Sequence, residues 1–102
     1  MSHTSDVERS RETAITVRYW AGARAAAGTA EDVLEVDPAA GELTLADVVA
    51  RVLELHPGEQ MARTVGVCSV LLGEQPVRSQ DPAEVVVRPG DVVELLPPFA
   101  GG

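Results

Sequence analysis

Apolar and polar side chains alternate as soon as the chain reaches Ala14. Ile15, Val17 and Tyr19 fall on one side of a period of two and Thr16, Arg18 and Trp20 on the other, which is the spacing of a half-buried strand. The alanine-rich stretch Ala21 to Ala27 comes next, closed by Gly28. Alanine favours helix and glycine stops it, so a short helical turn is expected there. Glu31 to Val36 alternates again and ends at Pro38, giving a second strand paired with the first.

The strongest helix signal begins at Thr44. A hydroxyl there and the Asp47 carboxylate three residues on have the spacing of a capping box. Leu45, Val48, Val49, Val52 and Leu53 then recur at helical spacing, with Asp47, Arg51 and Glu54 on the other face, and Asp47 and Arg51 stand as an i,i+4 ion pair. His56-Pro57-Gly58 closes this helix. Val67 to Leu72 is apolar nearly throughout and predicts a central strand. Gly73 to Pro76 predicts a turn, Val77-Arg78 a short continuation, and Val85 to Arg88 another short β segment. Pro89-Gly90-Asp91 marks a further turn before a last strand, Val92 to Leu96, stopped by Pro97 and Pro98. Glu59 to Val65 is too short to count as a second full helix. One helix against four or five strands predicts an α+β domain of the β-grasp type, a mixed sheet packed on one main helix. Residues 1–13 are polar and predict a disordered extension, residues 14–98 the domain, and residues 99–102 a flexible tail.

Composition narrows the function classes. The 102 residues carry sixteen acidic and eight basic side chains, a formal net charge of −8, and all eight basic residues are arginine. That balance argues against nucleic acid, which requires a clustered basic face. Aromatics make up 3%, so the core must be aliphatic. Apolar runs of five or six residues are far short of the ~20 that span a bilayer, and the N-terminus lacks the apolar stretch of a secretory signal. Cys68 is the only cysteine and His3 and His56 the only histidines, which argues against a disulfide or a zinc site. A reduced, cytoplasmic location is expected.

Catalytic side chains are hard to find. Cys68, set in an apolar stretch, reads as a small hydrophobe. His56 reads as a cap on the last helical carbonyls, and Glu31, Asp32 and Glu35 read as a solvated strand edge. The informative segment is the end of the sequence. Pro97-Pro98 is stiff and extended and projects the last four residues away from the domain. Phe99 sits on that projection, and the sequence stops at Gly101-Gly102. A carboxylate that must enter another protein's active site needs a slim approach, which glycine provides because it lacks a Cβ.

The segment Pro89-Gly90-Asp91-Val92-Val93-Glu94-Leu95-Leu96-Pro97-Pro98-Phe99-Ala100-Gly101-Gly102 closely resembles the ending of the small subunits of molybdopterin synthase, which belong to the ubiquitin-like sulfur carriers. Val17 to Arg24 resembles the same family's opening strand and turn, Thr44 to Pro57 its capped helix, and Cys68 to Gly73 its middle strand. The resemblance covers roughly residues 14–102. Trp20 departs from the pattern, standing where phenylalanine is more usual.

That resemblance implies a mechanism in which this chain is a non-catalytic, sulfur-carrying subunit with no bound cofactor. An E1-like adenylyltransferase would use ATP and magnesium to activate the Gly102 carboxylate, and a sulfur donor would convert it to a thiocarboxylate. The large subunit of the synthase, in a heterotetramer with the carrier, would then use the sulfur to build molybdopterin. Trp20, Arg24, Leu96 and Phe99 would dock the partners, and Gly101 would be the slim penultimate residue. Alternatives are a carrier for thiamine, cysteine or a secondary metabolite, a ubiquitin-like modifier joined through Gly102 to lysines, and a β-grasp binding module with an idle tail.

Overall fold

A computed structural model of the chain describes residues 13–37, 39 and 41–98. Residues 1–12 of the expected extension and the whole expected tail, residues 99–102, lie outside them. The alternating start forms strand β1 (Ala14–Tyr19), with Ile15, Val17 and Tyr19 buried. Helix α1 (Ala21–Ala27) follows at once and ends on Gly28, whose φ of 75° is the left-handed turn that glycine adopts without a Cβ clash. Strand β2 (Glu31–Glu35) then returns antiparallel to β1.

Helix α2 (Leu45–Leu55) starts as the spacing predicts. Thr44 Oγ1 accepts from the Asp47 N–H at 3.2 Å, and the Thr44 N–H donates to Asp47 Oδ2 at 2.9 Å. Leu45, Val48 and Val52 are buried on its inner face, each contributing about 1.5–3 kcal/mol by leaving water. Arg51 does not pair with Asp47. The Asp47 carboxylate is committed to the cap, and Arg51 Nη1 donates instead to the Glu35 carbonyl at 2.8 Å.

Five strands make the main sheet. Its order is β2-β1-β7-β4-β5, where β4 is Ser69–Leu72, β5 Gln75–Pro76 and β7 Val92–Leu96. Strands β1 and β7 run parallel, and every other neighbouring pair is antiparallel. A second, two-stranded sheet joins β3 (Leu43–Thr44) to β6 (Val86–Val87). This is the expected α+β arrangement of a mixed sheet on one main helix. The core is aliphatic apart from Tyr19, and gathers Ile15, Val17, Leu45, Val48, Val52, Val93 and Leu95.

Several expectations need correction. Glu59–Val67 is a full helix, α3, packed against α1. It opens at Gly58, where φ is 127°, and buries only Met61, so its surface is too polar to announce a core-facing helix. Val67 therefore belongs to α3, and β4 begins at Ser69. The central position is held by β7, because only β7 pairs on one side with β1 and on the other with β4. Gln75 and Pro76 belong to a strand, with the turn confined to Gly73-Glu74.

Cys68 caps α3 outside any strand, its Sγ donating to the Thr64 carbonyl at 3.1 Å. Burial pushes its thiol pKa up, which weakens it as a nucleophile.

Candidate functional site

The parallel pairing of β1 with β7 organises the end of the domain from which the sequence runs on to its last four residues. The register is Thr16 to Val92, Val17 to Val93, Arg18 to Glu94 and Tyr19 to Leu95. One step further, the Trp20 N–H donates to the Leu95 carbonyl at 3.1 Å. Both strands thus reach the same edge of the sheet together, β1 turning into α1 and β7 leading to Pro97 and Pro98.

Trp20 is the aromatic side chain exposed there. It is 46% exposed, while its neighbour Tyr19 is only 2% exposed, because the pleat turns successive side chains to opposite faces. The indole is held in place. Trp20 Nε1 donates to Glu94 Oε1 at 3.0 Å, and Glu94 projects from β7 on the same face as half-buried Leu96. Immediately after Trp20 the backbone turns sharply at Ala21, whose φ of 47° is unusual for a residue with a side chain.

Arg24, exposed on α1, shares with Trp20, Arg18, Tyr19, Ala30 and Glu31 a shallow depression of about 170 Å³. Arg18 Nε lies 3.6 Å from Glu31 Oε1 across the sheet surface. Of the residues expected to meet partners, the structure therefore brings together Trp20, Arg24 and Leu96 around the β1–β7 end. Phe99, Gly101 and Gly102 lie outside the described residues. Glu94, which orients Trp20, escapes sequence reasoning because the two are 74 residues apart and meet only through the β1–β7 pairing.

A second cluster lies on the helix side of the sheet. Tyr19 Oη donates to Asp32 Oδ2 at 2.8 Å, and His56 Nε2 sits 2.6 Å from the same oxygen. The Tyr19 and His56 rings meet edge to face with centroids 5.6 Å apart. His56 therefore does not cap helical carbonyls through its ring, and Asp32 is not merely solvated edge. Together they tie β1 and β2 to the end of α2.

This cluster makes a pH prediction. Burial, then the Asp32 hydrogen bond and the Asp32 charge, hold the Tyr19 hydroxyl pKa far above its ordinary value near 10. Below pH 10 the phenol is protonated folded or unfolded. Above it, the unfolded chain releases the proton while the folded chain keeps it, so stability falls as pH rises. The expected slope from this group is about 1.4 kcal/mol per pH unit. Urea midpoints between pH 9 and pH 11.5 measure it. Cys68 acts in the same direction, so the difference between wild type and Tyr19→Phe isolates the tyrosine; equal slopes would refute the account.

Among the described residues no three His, Cys, Asp or Glu side chains are grouped to hold a metal ion, and no helix is long and apolar enough to cross a membrane. The site that emerges is a surface patch of Trp20, Arg24 and Leu96 at the β1–β7 end of the domain.

Several solved structures share the fold. Small archaeal modifier protein 1 from Haloferax volcanii matches with a TM-score of 0.70 at 22% identity, covering 87% of this chain and 99% of its own. Urm1 from Trypanosoma brucei matches with a TM-score of 0.66 at 21% identity, over 88% of this chain and 96% of its own. A complex of subunits 1 and 2 of molybdopterin-converting factor from Helicobacter pylori contains a chain with a TM-score of 0.60 at 21% identity, over 87% of this chain and 99% of that one. No curated protein matches in sequence. The model of the ThiS family matches residues 17–102, from β1 through the last glycine. The chain belongs to the ThiS family.

Proposed function

We propose that the chain is a cytoplasmic sulfur carrier that serves as the small subunit of a molybdopterin synthase, with Gly102 as its reacting residue. The observation that carries this reading is the pairing of β7 with β1. It puts exposed Trp20 and half-buried Leu96 at the foot of the segment that ends in Gly101-Gly102. A partner that grips those side chains holds the terminal carboxylate at a fixed reach.

The chemistry balances without a catalytic side chain from this protein. A Gly102 carboxylate oxygen attacks the α-phosphorus of ATP on an E1-like adenylyltransferase and pyrophosphate leaves. A sulfide sulfur then attacks the acyl carbon, AMP leaves, and a thiocarboxylate remains. Within the synthase the thiocarboxylate sulfur attacks a side-chain carbon of the pterin precursor and displaces the oxygen substituent there. Water then cleaves the resulting acyl–sulfur bond, leaving the sulfur on the pterin and regenerating the carboxylate. Magnesium and ATP belong to the activating enzyme. The Pro-Pro-Phe-Ala-Gly-Gly ending favours the molybdopterin branch, and a complex of subunits 1 and 2 in the Helicobacter pylori protein supports a large-subunit partner.

The test uses intact mass. Incubation with an E1-like adenylyltransferase, MgATP and sulfide is expected to add about 16 Da, one oxygen exchanged for sulfur. No gain, in a mixture that converts a known carrier, would overturn the carrier reading. The thiocarboxylated protein, mixed with a synthase large subunit and cyclic pyranopterin monophosphate, is expected to yield molybdopterin. Absence of product from fully thiocarboxylated protein would remove the branch and leave the carrier. Conjugates on lysines of other proteins, in place of the 16 Da gain, would identify a modifier.

A further inference from the structure

The edge of the sheet away from β7 carries a feature that sulfur transfer does not use. Among the described residues nothing pairs with the outer side of β2. In an antiparallel pair alternate residues turn their N–H and C=O away from the neighbour. Glu35 is one of them, since its carbonyl accepts from Arg51. Glu31 and Val33 share its parity, and the Glu31 carbonyl accepts from Thr29 Oγ1 at 3.2 Å. Between those two occupied carbonyls, Val33 presents its N–H and C=O outward.

Beside that edge lies a groove of about 330 Å³ between β2 and α2, lined by Val33, Leu34, Glu35, Arg51, Glu54 and Leu55. Val33 is 50% and Leu55 52% exposed, two of the four large hydrophobic residues left open on the described surface. Acidic groups surround them. Glu35 and Glu54 are exposed carboxylates, and Glu31 is only loosely paired with Arg18. The one guanidinium in the groove, Arg51, is already on a backbone carbonyl.

We propose that the β2 edge and the β2–α2 groove accept an extended basic segment of another protein as a sixth strand, a docking mode built on backbone hydrogen bonds with alternate side chains in the groove. Charge selects this occupant. A second copy of β2, pairing antiparallel about Val33, would set Glu31 opposite Glu35, and like charges directly opposed destabilise a sheet. Arginine or lysine at those positions would meet carboxylates, while an aliphatic residue between them would cover Val33 or Leu55. The acidic edge thus guards against self-pairing and leaves room for a basic strand. Because β1 separates β2 from β7, this occupant leaves Trp20 and Leu96 free for the partners of the carrier reaction.

A fluorescein-labelled Thr-Arg-Val-Val-Val-Arg-Thr peptide, whose two arginines fall opposite Glu31 and Glu35 and whose middle valine falls opposite Val33, is the probe, titrated into the full chain by anisotropy and mapped by amide chemical shifts. Expected are shifts concentrated at residues 31–35 and 51–55 and slowed exchange of the Val33 N–H. Binding should weaken at least tenfold in Leu55→Lys and be lost with a matched peptide carrying two adjacent prolines at its middle. Leu55 is exposed, so the variant should keep its urea midpoint; if it does not, Glu54→Lys replaces it as the reporter. Equal binding of the proline peptide, no loss in the folded variant, shifts spread over the whole acidic surface, or no binding at about 1 mM would each overturn the proposal. So would self-association of the free chain that Leu55→Lys abolishes.

Discussion

Deleting Gly102 is expected to stop thiocarboxylate formation while leaving the fold untouched. The last strand ends at Leu96, and the hydrogen bonds that anchor it, including that from the Trp20 N–H to the Leu95 carbonyl, lie well before the deletion. The urea midpoint should therefore move by no more than a surface substitution would move it, about 0.5 kcal/mol. The truncated protein still ends in a glycine carboxylate, that of Gly101, so the reacting group is chemically the same. What changes is reach. One extended residue spans about 3.3–3.6 Å, and a displacement near 1 Å can already cost about a hundredfold when the reacting atoms must meet in a fixed geometry. With the domain held at Trp20, Arg24 and Leu96, the shortened terminus falls short of the ATP α-phosphorus, and the rate of the 16 Da gain should drop by about a thousandfold or more. Replacing Gly101 with Ala tests the companion idea, that the approach must be slim; it keeps the length and adds one Cβ. Undiminished conversion of the truncated chain would refute a reading in which Gly102 is the reacting residue.

The fold was legible wherever a local pattern met a local structure. Alternation in Ala14–Tyr19, the Thr44–Asp47 capping box and the proline stop after Leu96 each depend on residues a few positions apart, and each is observed. The misread elements depend on partners far along the chain. Helix α3 exposes most of its surface and owes its place to α1, which no periodicity within Glu59–Val67 reveals. An apolar composition made Val67 to Leu72 look central, yet β7 holds the centre, because strand order is fixed by pairing and not by hydrophobicity. The site divides in the same way. Trp20 was marked out by the family resemblance of its segment, whereas Glu94 at its indole N–H and Asp32 between Tyr19 and His56 look, in sequence, like ordinary solvated acids.

Two adjacent leucines on β7 should separate folding from docking. Leu95 is 1% exposed and packs in the core. Truncation to alanine removes three buried carbons and leaves a cavity against β1 and the helices, so a loss of about 2–5 kcal/mol is expected, a large share of the roughly 5–15 kcal/mol that holds a domain together. Leu96 points to the other face and is half-buried, opposite Ser69 of β4. Its truncation to alanine should cost no more than about 1 kcal/mol, since few of its contacts lie in the core. Partner engagement should show the reverse order. A half-buried aliphatic side chain beside Trp20, at the foot of the reacting segment, has the position of a central anchor, and losing such an anchor typically costs about 2 kcal/mol, near thirtyfold in affinity. Urea unfolding of both variants, followed by titration of each folded protein onto the adenylyltransferase below its unfolding range, reads the two effects independently. Leu95→Ala should then bind almost normally and Leu96→Ala should not. If Leu96→Ala bound as wild type does while Trp20→Ala also bound normally, the partner would have to grip a different face, and the parallel pairing of β1 with β7 would lose its functional meaning.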